Sequence, residues 1–203
     1  MRTDSSADPR VTRTRHDVLA AARSVLLDEG WERVTVARVA ERSGYARTTL
    51  YRHWPQRLDL LKDLISEEGR LAHTSPTGDL RADLVAELDA FRVAVTTTGF
   101  GRVIVAIGHR AHDDPELADL NRAIRAEGER ILHSIVADGV RRGELASELR
   151  ANAAIPQLVG PVLFRHLFDD EGLDSAFVVS VVDWFLAAAS DGERLTRAPS
   201  GSG

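Results

Sequence analysis

The 203-residue sequence contains no cysteine, which excludes disulfide bonds, thiolate metal sites and cysteine nucleophiles. Long apolar runs are also absent: runs such as 103–107 fall far short of the roughly 20 residues that a helix needs to cross a bilayer. Residues 1–10 are polar and contain no apolar core of the kind found in secretion signals. These absences favour a soluble, cytoplasmic protein with no membrane partner.

Several enzyme motifs are missing as well. The sequence has no glycine-rich phosphate loop with a lysine, no His-Glu-x-x-His and no Gly-x-Ser-x-Gly. His109 and His112 have a spacing that one helix face could use for a metal, but no third ligand accompanies them beyond the neighbouring Asp113. We therefore expect neither an enzyme nor a bound metal or cofactor.

The charge of the chain is unevenly distributed. The whole sequence has a formal net charge of −5, which by itself argues weakly against a nucleic-acid partner. Residues 1–60, however, hold 11 Arg against 8 Asp and Glu and carry a net charge of +3, whereas the remainder carries −8. This split predicts a basic module followed by an acidic one.

Apolar residues recur at helical spacing along most of the chain, and no hairpin signal or internal repeat interrupts them. The sequence thus predicts an all-α protein of about nine helices, with one long helix from Leu117 to Val140. The segment 103–107 alone could form a strand, but its helical flanks favour a short buried helix. We divide the chain into a disordered arm (1–9), a helix-turn-helix domain (10–56), a helical ligand-binding and dimerisation domain (57–190) and a flexible tail (191–203).

The most informative stretch is 35–54, TVARVAERSGYARTTLYRHW. It predicts a helix capped by Thr35, a tight turn at 43–45 and a second helix over 47–54 that ends before Pro55. Leu50 and Trp54 would face the first helix, leaving the outer faces to Arg47, Thr48, Thr49, Tyr51, Arg52 and His53. A helix of this kind fits the DNA major groove, where arginine and threonine can contact base edges. Tyr51, His53 and the helix start at Thr35 suit phosphate oxygens, and Tyr45 either packs on the turn or contacts the DNA backbone.

These residues resemble the TetR-like (tetracycline-repressor-type) family of bacterial regulators. The resemblance covers about Arg13 to Leu61 and rests on Gly-Trp at 30–31, the Thr-Val…Val-Ala…Ser-Gly run and Thr-Leu-Tyr-Arg-His-Trp-Pro at 49–55. It implies an N-terminal three-helix DNA-binding domain and a homodimeric repressor that a small molecule releases from a palindromic operator on double-stranded DNA. By position it implies base contacts from Arg47, Thr48 and Thr49, and phosphate contacts from Thr35, Tyr51, His53 and Arg57.

Two positions depart from the family pattern. Ala46 stands where a capping serine is usual, so the second helix lacks a hydroxyl cap. Arg57 stands in place of the family's phosphate-binding lysine, which keeps the charge but changes the donor geometry.

The acidic half contains candidates for two further sites. An effector cavity could be lined by apolar residues and one histidine, although such residues at helical spacing are more often simple core: Phe91, Val95, Phe100, Ile104, Ile107, Ile131, Phe164 and His166. The last two helices are apolar on more than one stripe, and the resemblance assigns the surplus face to a dimer interface formed by Val162, Phe177, Val181, Trp184 and Phe185. The alternative is a helix in the middle of the core.

Two other functions remain open at this stage. The protein could be a transcriptional activator, which sequence cannot separate from a repressor. It could also be a helical ligand-binding or adaptor protein without DNA function, but the basic residues at 47 and 57 argue against that.

Overall fold

A computed structural model describes residues 9–69, 73–97, 100–169 and 172–190. These residues form ten α-helices and no strand: α1 (Pro9–Glu29), α2 (Val36–Ser43), α3 (Arg47–His53), α4 (Arg57–Gly69), α5 (Leu80–Thr97), α6 (Phe100–Arg110), α7 (Pro115–Gly128), α8 (Arg130–Arg141), α9 (Ala151–Phe168) and α10 (Ser175–Ser190). The all-α prediction is confirmed. Of the predicted arm, only Pro9 is described, where it begins α1, and the predicted tail at 191–203 lies outside the described residues.

The helix predicted from Leu117 to Val140 is two helices, which accounts for ten instead of about nine. The division between α7 and α8 falls at Glu129, directly after Gly128. The backbone angles of Glu129, φ −87° and ψ −9°, depart from those of a regular α-helix. Glycine weakens a helix interior because it loses the most backbone freedom on ordering. Hydrogen bonds still cross the division, from Glu129 N to Arg125 O and from His133 N to Glu129 O, both 2.8 Å.

The described residues form two compact units. The first contains the described residues up to Glu67 together with 102–120, and the second contains 68–101 and 121–190. The first unit therefore includes most of α4, whereas the DNA-binding domain predicted from the sequence ends at residue 56.

The core of the first unit is built on the apolar stripe of α1. This helix packs against α2 and against a short 3₁₀ turn, Trp31–Arg33, while α2 packs against α3. The buried side chains include Val18, Leu19, Ala22, Val25, Val39, Leu50, Trp54, Leu61 and Leu64. Burial of this stripe stabilises the short helices, since seven or eight residues alone do not hold a helix in water.

In the second unit α5 packs against α8, α9 and α10, and α9 packs against α8 and α10. The packing is close at Gly139, where an added Cβ would lie 3.0 Å from Leu80 Cδ1 and 3.0 Å from Leu145 Cδ1. Among the described residues, no single helix is both long and apolar enough to cross a membrane. By length and composition alone, α5 and α6 taken as a bent pair would pass the same test.

Two buried carboxylates attach the segment 73–78 to α5. Asp83 accepts hydrogen bonds from Thr77 N, Thr77 Oγ1 and Gly78 N, each at 2.8 Å. Glu87 contacts Thr74 N, Thr74 Oγ1 and His73 Nδ1, each at 2.7 Å. Within the described ranges these are the two charged side chains that are buried. From the sequence, 73–78 was predicted only as a break between helices.

Candidate nucleic-acid interface

Local backbone chemistry sets the geometry of α2 and the turn after it. Thr35 has extended angles, and its Oγ1 accepts a hydrogen bond from Arg38 N at 3.1 Å, as an N-cap does. The helix ends at Gly44, whose φ of 77° lies in the left-handed region and whose N–H donates to Ala40 O at 3.0 Å. A residue with a Cβ would be strained there, so Gly44 determines where the chain turns toward α3.

Tertiary contacts hold α3 in place. Its N-cap, Ala46, makes no side-chain capping bond, as expected for an alanine in place of the usual capping serine. Leu50 is fully buried, and Trp54, also buried, donates from Nε1 to Asp63 Oδ2 of α4 at 2.7 Å. Helix α3 is thus anchored by its inner face and by its C-terminal end.

The outer face of α3 is open to solvent. Arg47, Thr48, Arg52 and His53 are exposed, Tyr51 is 48% exposed, and Thr49 is half-buried. The α3 side chains for which the sequence predicts DNA contact therefore lie together on an accessible surface. Arg47 Nη2 lies 2.5 Å from Glu41 Oε1, so this arginine is ion-paired within the protein.

Tyr45, for which packing on the turn and contact with the DNA backbone are both predicted as alternatives, contacts the first helix. It is half-buried, and its hydroxyl donates to Asp17 Oδ2 of α1 at 2.9 Å. This hydrogen bond connects the turn between α2 and α3 to the first helix.

Arg57, predicted to contact phosphate, occupies a different environment. Its Nη2 donates to the carbonyl oxygen of Trp31 at 2.6 Å, and its guanidinium carbon lies 4.6 Å from the centroid of the Trp31 ring. The side chain is half-buried, and burial lowers the pKa of the guanidinium. Its contacts therefore attach the start of α4 to the 3₁₀ turn, and the phosphate contact from this arginine stays a prediction.

Sequence reasoning missed the acidic residues that organise this surface: Asp17, Glu41 and Asp63. Asp63 also pairs with Arg15 Nη1 at 3.0 Å, and a cavity of about 90 Å³ is lined by Thr14, Arg15, His53, Trp54 and Asp63. The start of α1 thus lies beside the end of α3. These partners are 6 to 48 residues apart in sequence, and no spacing rule connects them.

The candidate effector residues are distributed over both compact units. Ile104 and Ile107 belong to the first unit, whereas Phe91, Val95, Phe100, Ile131, Phe164 and His166 belong to the second. Phe164 is 64% exposed, because it lies on the outer side of α9, which corrects its placement in a cavity. His166 packs closely on Gly101, where an added Cβ would lie 2.7 Å from His166 Cδ2.

The candidate dimer residues differ in how exposed they are. Trp184 is 81% exposed, and Phe177 and Val181 are half-buried. Val162 and Phe185 are buried in the core of their own unit, so they are unavailable to a partner, which corrects their assignment. Phe168, absent from the candidates, is 73% exposed, and its ring centroid lies 5.2 Å from that of Phe164.

No group of three or more His, Cys, Asp or Glu in the described ranges could hold a metal ion. His109 and His112 are both exposed.

A short helix that is anchored on its inner face, follows a glycine turn and exposes arginine, threonine and tyrosine defines a helix-turn-helix DNA-binding unit. Comparison with known proteins agrees. Residues 18–64 match the family model described as bacterial regulatory proteins, tetR family, and residues 74–185 match the tetracyclin repressor-like C-terminal domain.

Curated relatives match over most of the chain. An uncharacterized HTH-type transcriptional regulator, YdeS of Bacillus subtilis, is 27% identical over 86% of this chain and 88% of its own length. The HTH-type transcriptional repressor BepR of Brucella suis is 28% identical over 79% of this chain and 84% of its own. The crystal structure of the TetR family transcription regulator SCO0332 is 32% identical, covers 89% of this chain and 98% of its own, and superposes with a TM-score of 0.65.

The chain belongs to the TetR family. It is a DNA-binding transcriptional regulator whose helix-turn-helix is formed by α2 and α3.

Proposed function

We propose that the protein is a homodimeric, cytoplasmic repressor that binds a palindromic operator and leaves it when a small molecule binds the second unit. The observation that carries the proposal is the exposed face of α3, held rigidly by Leu50 and Trp54. Repression is supported by similarity to BepR, which is named a repressor.

In this proposal, base edges are contacted from the first turns of α3. Arg47 would bond guanine, and Thr48 and Thr49 would offer hydroxyl or methyl groups to neighbouring bases. Tyr51 and His53, farther along the same helix, would donate to phosphate oxygens, as would the exposed start of α2 at Thr35. Tyr45 and Arg57 would support this surface from behind.

Dimerisation would use the outer faces of α9 and α10. Phe164, Phe168 and Trp184 leave apolar rings in water, and a second copy of the chain would cover them in an isologous interface. Phe177 and Val181 would contribute at its edge. Two-fold symmetry would then present two α3 helices to two half-sites, so the operator would be palindromic.

Effector binding would take place in the second unit. Phe91, Val95, Phe100, Ile131 and His166 are the candidate residues that this unit contains away from the exposed apolar face. Binding there would lower operator affinity through a coupling free energy of typically about 1–3 kcal/mol.

The test begins with duplexes selected by the purified protein from a random pool, because the operator is unknown. Arg47→Ala is expected to weaken binding to the selected duplex by about 10- to 100-fold, the range of one bidentate base contact. Thr49→Ala should weaken it less. Fluorescence anisotropy on selected and scrambled duplexes measures both affinities.

Arg141→Ala is the matched control, because this arginine is exposed at the end of α8 in the second unit and should leave both affinities unchanged. If no duplex is enriched over the starting pool, the DNA-binding proposal fails. If Arg47→Ala binds the selected duplex like the parent, the assignment of α3 as the base-reading helix fails.

A further inference from the structure

A series of ion pairs connects the end of α1 to the first residue of α3. Arg38 in α2 binds Glu29 with two bonds, Nε to Oε2 at 2.8 Å and Nη2 to Oε1 at 2.7 Å. The same guanidinium reaches Glu41 Oε2 from Nη1 at 3.3 Å. The other oxygen of Glu41, Oε1, lies 2.5 Å from Arg47 Nη2.

The series is anchored at the end away from α3. Glu29 is only 21% exposed, and its two bonds with Arg38 fix the orientation of that guanidinium. Hydrogen bonds from Arg38 lower the pKa of Glu29, and those from Arg38 and Arg47 lower the pKa of Glu41. Both carboxylates are therefore charged at neutral pH, and Glu41 is held by Arg38 independently of Arg47.

This arrangement restricts Arg47 without removing it from the surface. The side chain of Arg47 is 59% exposed, and the bond to Glu41 uses Nη2. A guanidinium has five N–H donors in a rigid plane, so fixing one edge leaves other donors to face a base. A long side chain otherwise loses conformational entropy when it orders on DNA, and a prior ion pair removes part of that loss.

The charge of Glu41 has a second consequence. A carboxylate beside the guanidinium offsets its attraction for backbone phosphates, which are alike at every sequence. Bonds to guanine O6 and N7 depend on position more than on charge, so they benefit from the fixed orientation.

We propose that Glu41, anchored through Arg38 to Glu29, is a positioning residue that orients Arg47 for base recognition and limits its binding to phosphate. The inference rests on the proposed contact between Arg47 and a base. It adds a specificity determinant that lies on α2, outside the recognition helix.

The experiment compares Glu41→Ala, Arg47→Ala and the double variant on a panel of duplexes, each changed at one base pair of the selected half-site. Glu41→Ala should lose base preference at the same base pairs at which Arg47→Ala loses it. The expected loss is about tenfold, which corresponds to the low end of one bidentate contact. The double variant should lose no more preference than Arg47→Ala. Affinity for scrambled DNA should rise in Glu41→Ala, because a negative charge has been removed from the interface.

Two controls separate positioning from charge and from folding. Asp28→Ala removes a carboxylate that pairs with Arg42 at 2.5 Å and lies on another branch of the cluster, so it should change affinity for all duplexes alike. Glu41→Gln keeps an acceptor oxygen and should retain part of the preference. If Glu41→Ala is unfolded at the assay temperature, the base preference is measured on Glu41→Gln instead.

Unchanged preference in Glu41→Ala, a loss spread evenly over all base pairs, or a gain of preference would each overturn the inference. If Arg47→Ala itself alters no base preference, the proposed base contact is wrong and the inference falls with it. If Arg47→Ala does alter preference and Glu41→Ala does not, the role of Glu41 alone is wrong.

Discussion

At the start of α3, the side chain of Ala46 limits the stability of the helix because it provides no capping oxygen. Ala46 has the extended angles of an N-cap, φ −63° and ψ 137°, but it has no oxygen to accept from the first N–H groups of the helix. The helix has only seven residues, and its stability depends on buried Leu50 and on the bond from Trp54 to Asp63.

Ala46→Ser should raise the free energy of unfolding by about 1 kcal/mol, because a serine hydroxyl at this position satisfies a backbone N–H. Urea unfolding followed by far-UV circular dichroism measures the change. Ala86→Ser, at an exposed interior position of α5, is the control and should give no gain. A gain of equal size in both variants would contradict the capping explanation.

At the scale of elements, the segment before α5 is attached to that helix by a buried, charged carboxylate, that of Asp83. Burial raises the pKa of Asp83, but the bonds from Thr77 N, Thr77 Oγ1 and Gly78 N outweigh burial and leave the pKa below its usual value. A carboxylate whose pKa is lowered in the folded state stabilises the protein above its unfolded-state pKa. That contribution is lost as the pH falls through the folded-state pKa.

Asp83→Asn should therefore destabilise the protein at pH 7 by about 2–3 kcal/mol, since an amide cannot accept all three bonds. The difference from the parent should be similar at pH 5.5 and should shrink below about pH 4, the range of an unperturbed aspartate. Urea unfolding across this pH series checks both statements.

Glu127→Gln, at a side chain that is 71% exposed, is the control and should change stability little. A destabilisation by Asp83→Asn that persists undiminished at pH 3 would contradict the role of the charged carboxylate.

At the scale of the whole molecule, the largest uncovered apolar side chains lie on α9 and α10. Trp184 is 81% exposed, and Phe164 and Phe168 are 64% and 73% exposed. Scattered apolar side chains are normal on a protein surface. Of the five residues that the sequence predicts for a dimer interface, Trp184 is the exposed one, whereas Phe164 and Phe168 were not assigned to it.

Trp184→Glu should convert a dimer into a monomer, because it places a charge in the proposed interface without removing a core side chain. Sedimentation equilibrium measures the mass, and anisotropy on the selected palindrome should show a parallel loss of affinity. Val105→Glu, at an exposed valine of α6, should leave the mass unchanged. A monomeric parent protein, or a dimeric Trp184→Glu variant, would contradict this interface.

Much of the helix-turn-helix could be predicted because its signals are local. Thr35 caps α2, Gly44 supplies the left-handed turn, and Pro55 prevents α3 from continuing, each within a few residues of the boundary it sets. The division at Glu129 was missed because hydrogen bonds continue across it and the apolar spacing is uninterrupted.

The sequence by itself determined the all-α class, the position of the helix-turn-helix and the family, since helix boundaries and apolar spacing depend on neighbours along the chain. Only the tertiary structure decided what each polar side chain contacts. It pairs Arg47 with Glu41, Tyr45 with Asp17 and Arg57 with Trp31. Such pairs form because folding brings distant residues together, and several arginines in one sequence are equivalent until burial and partners distinguish them.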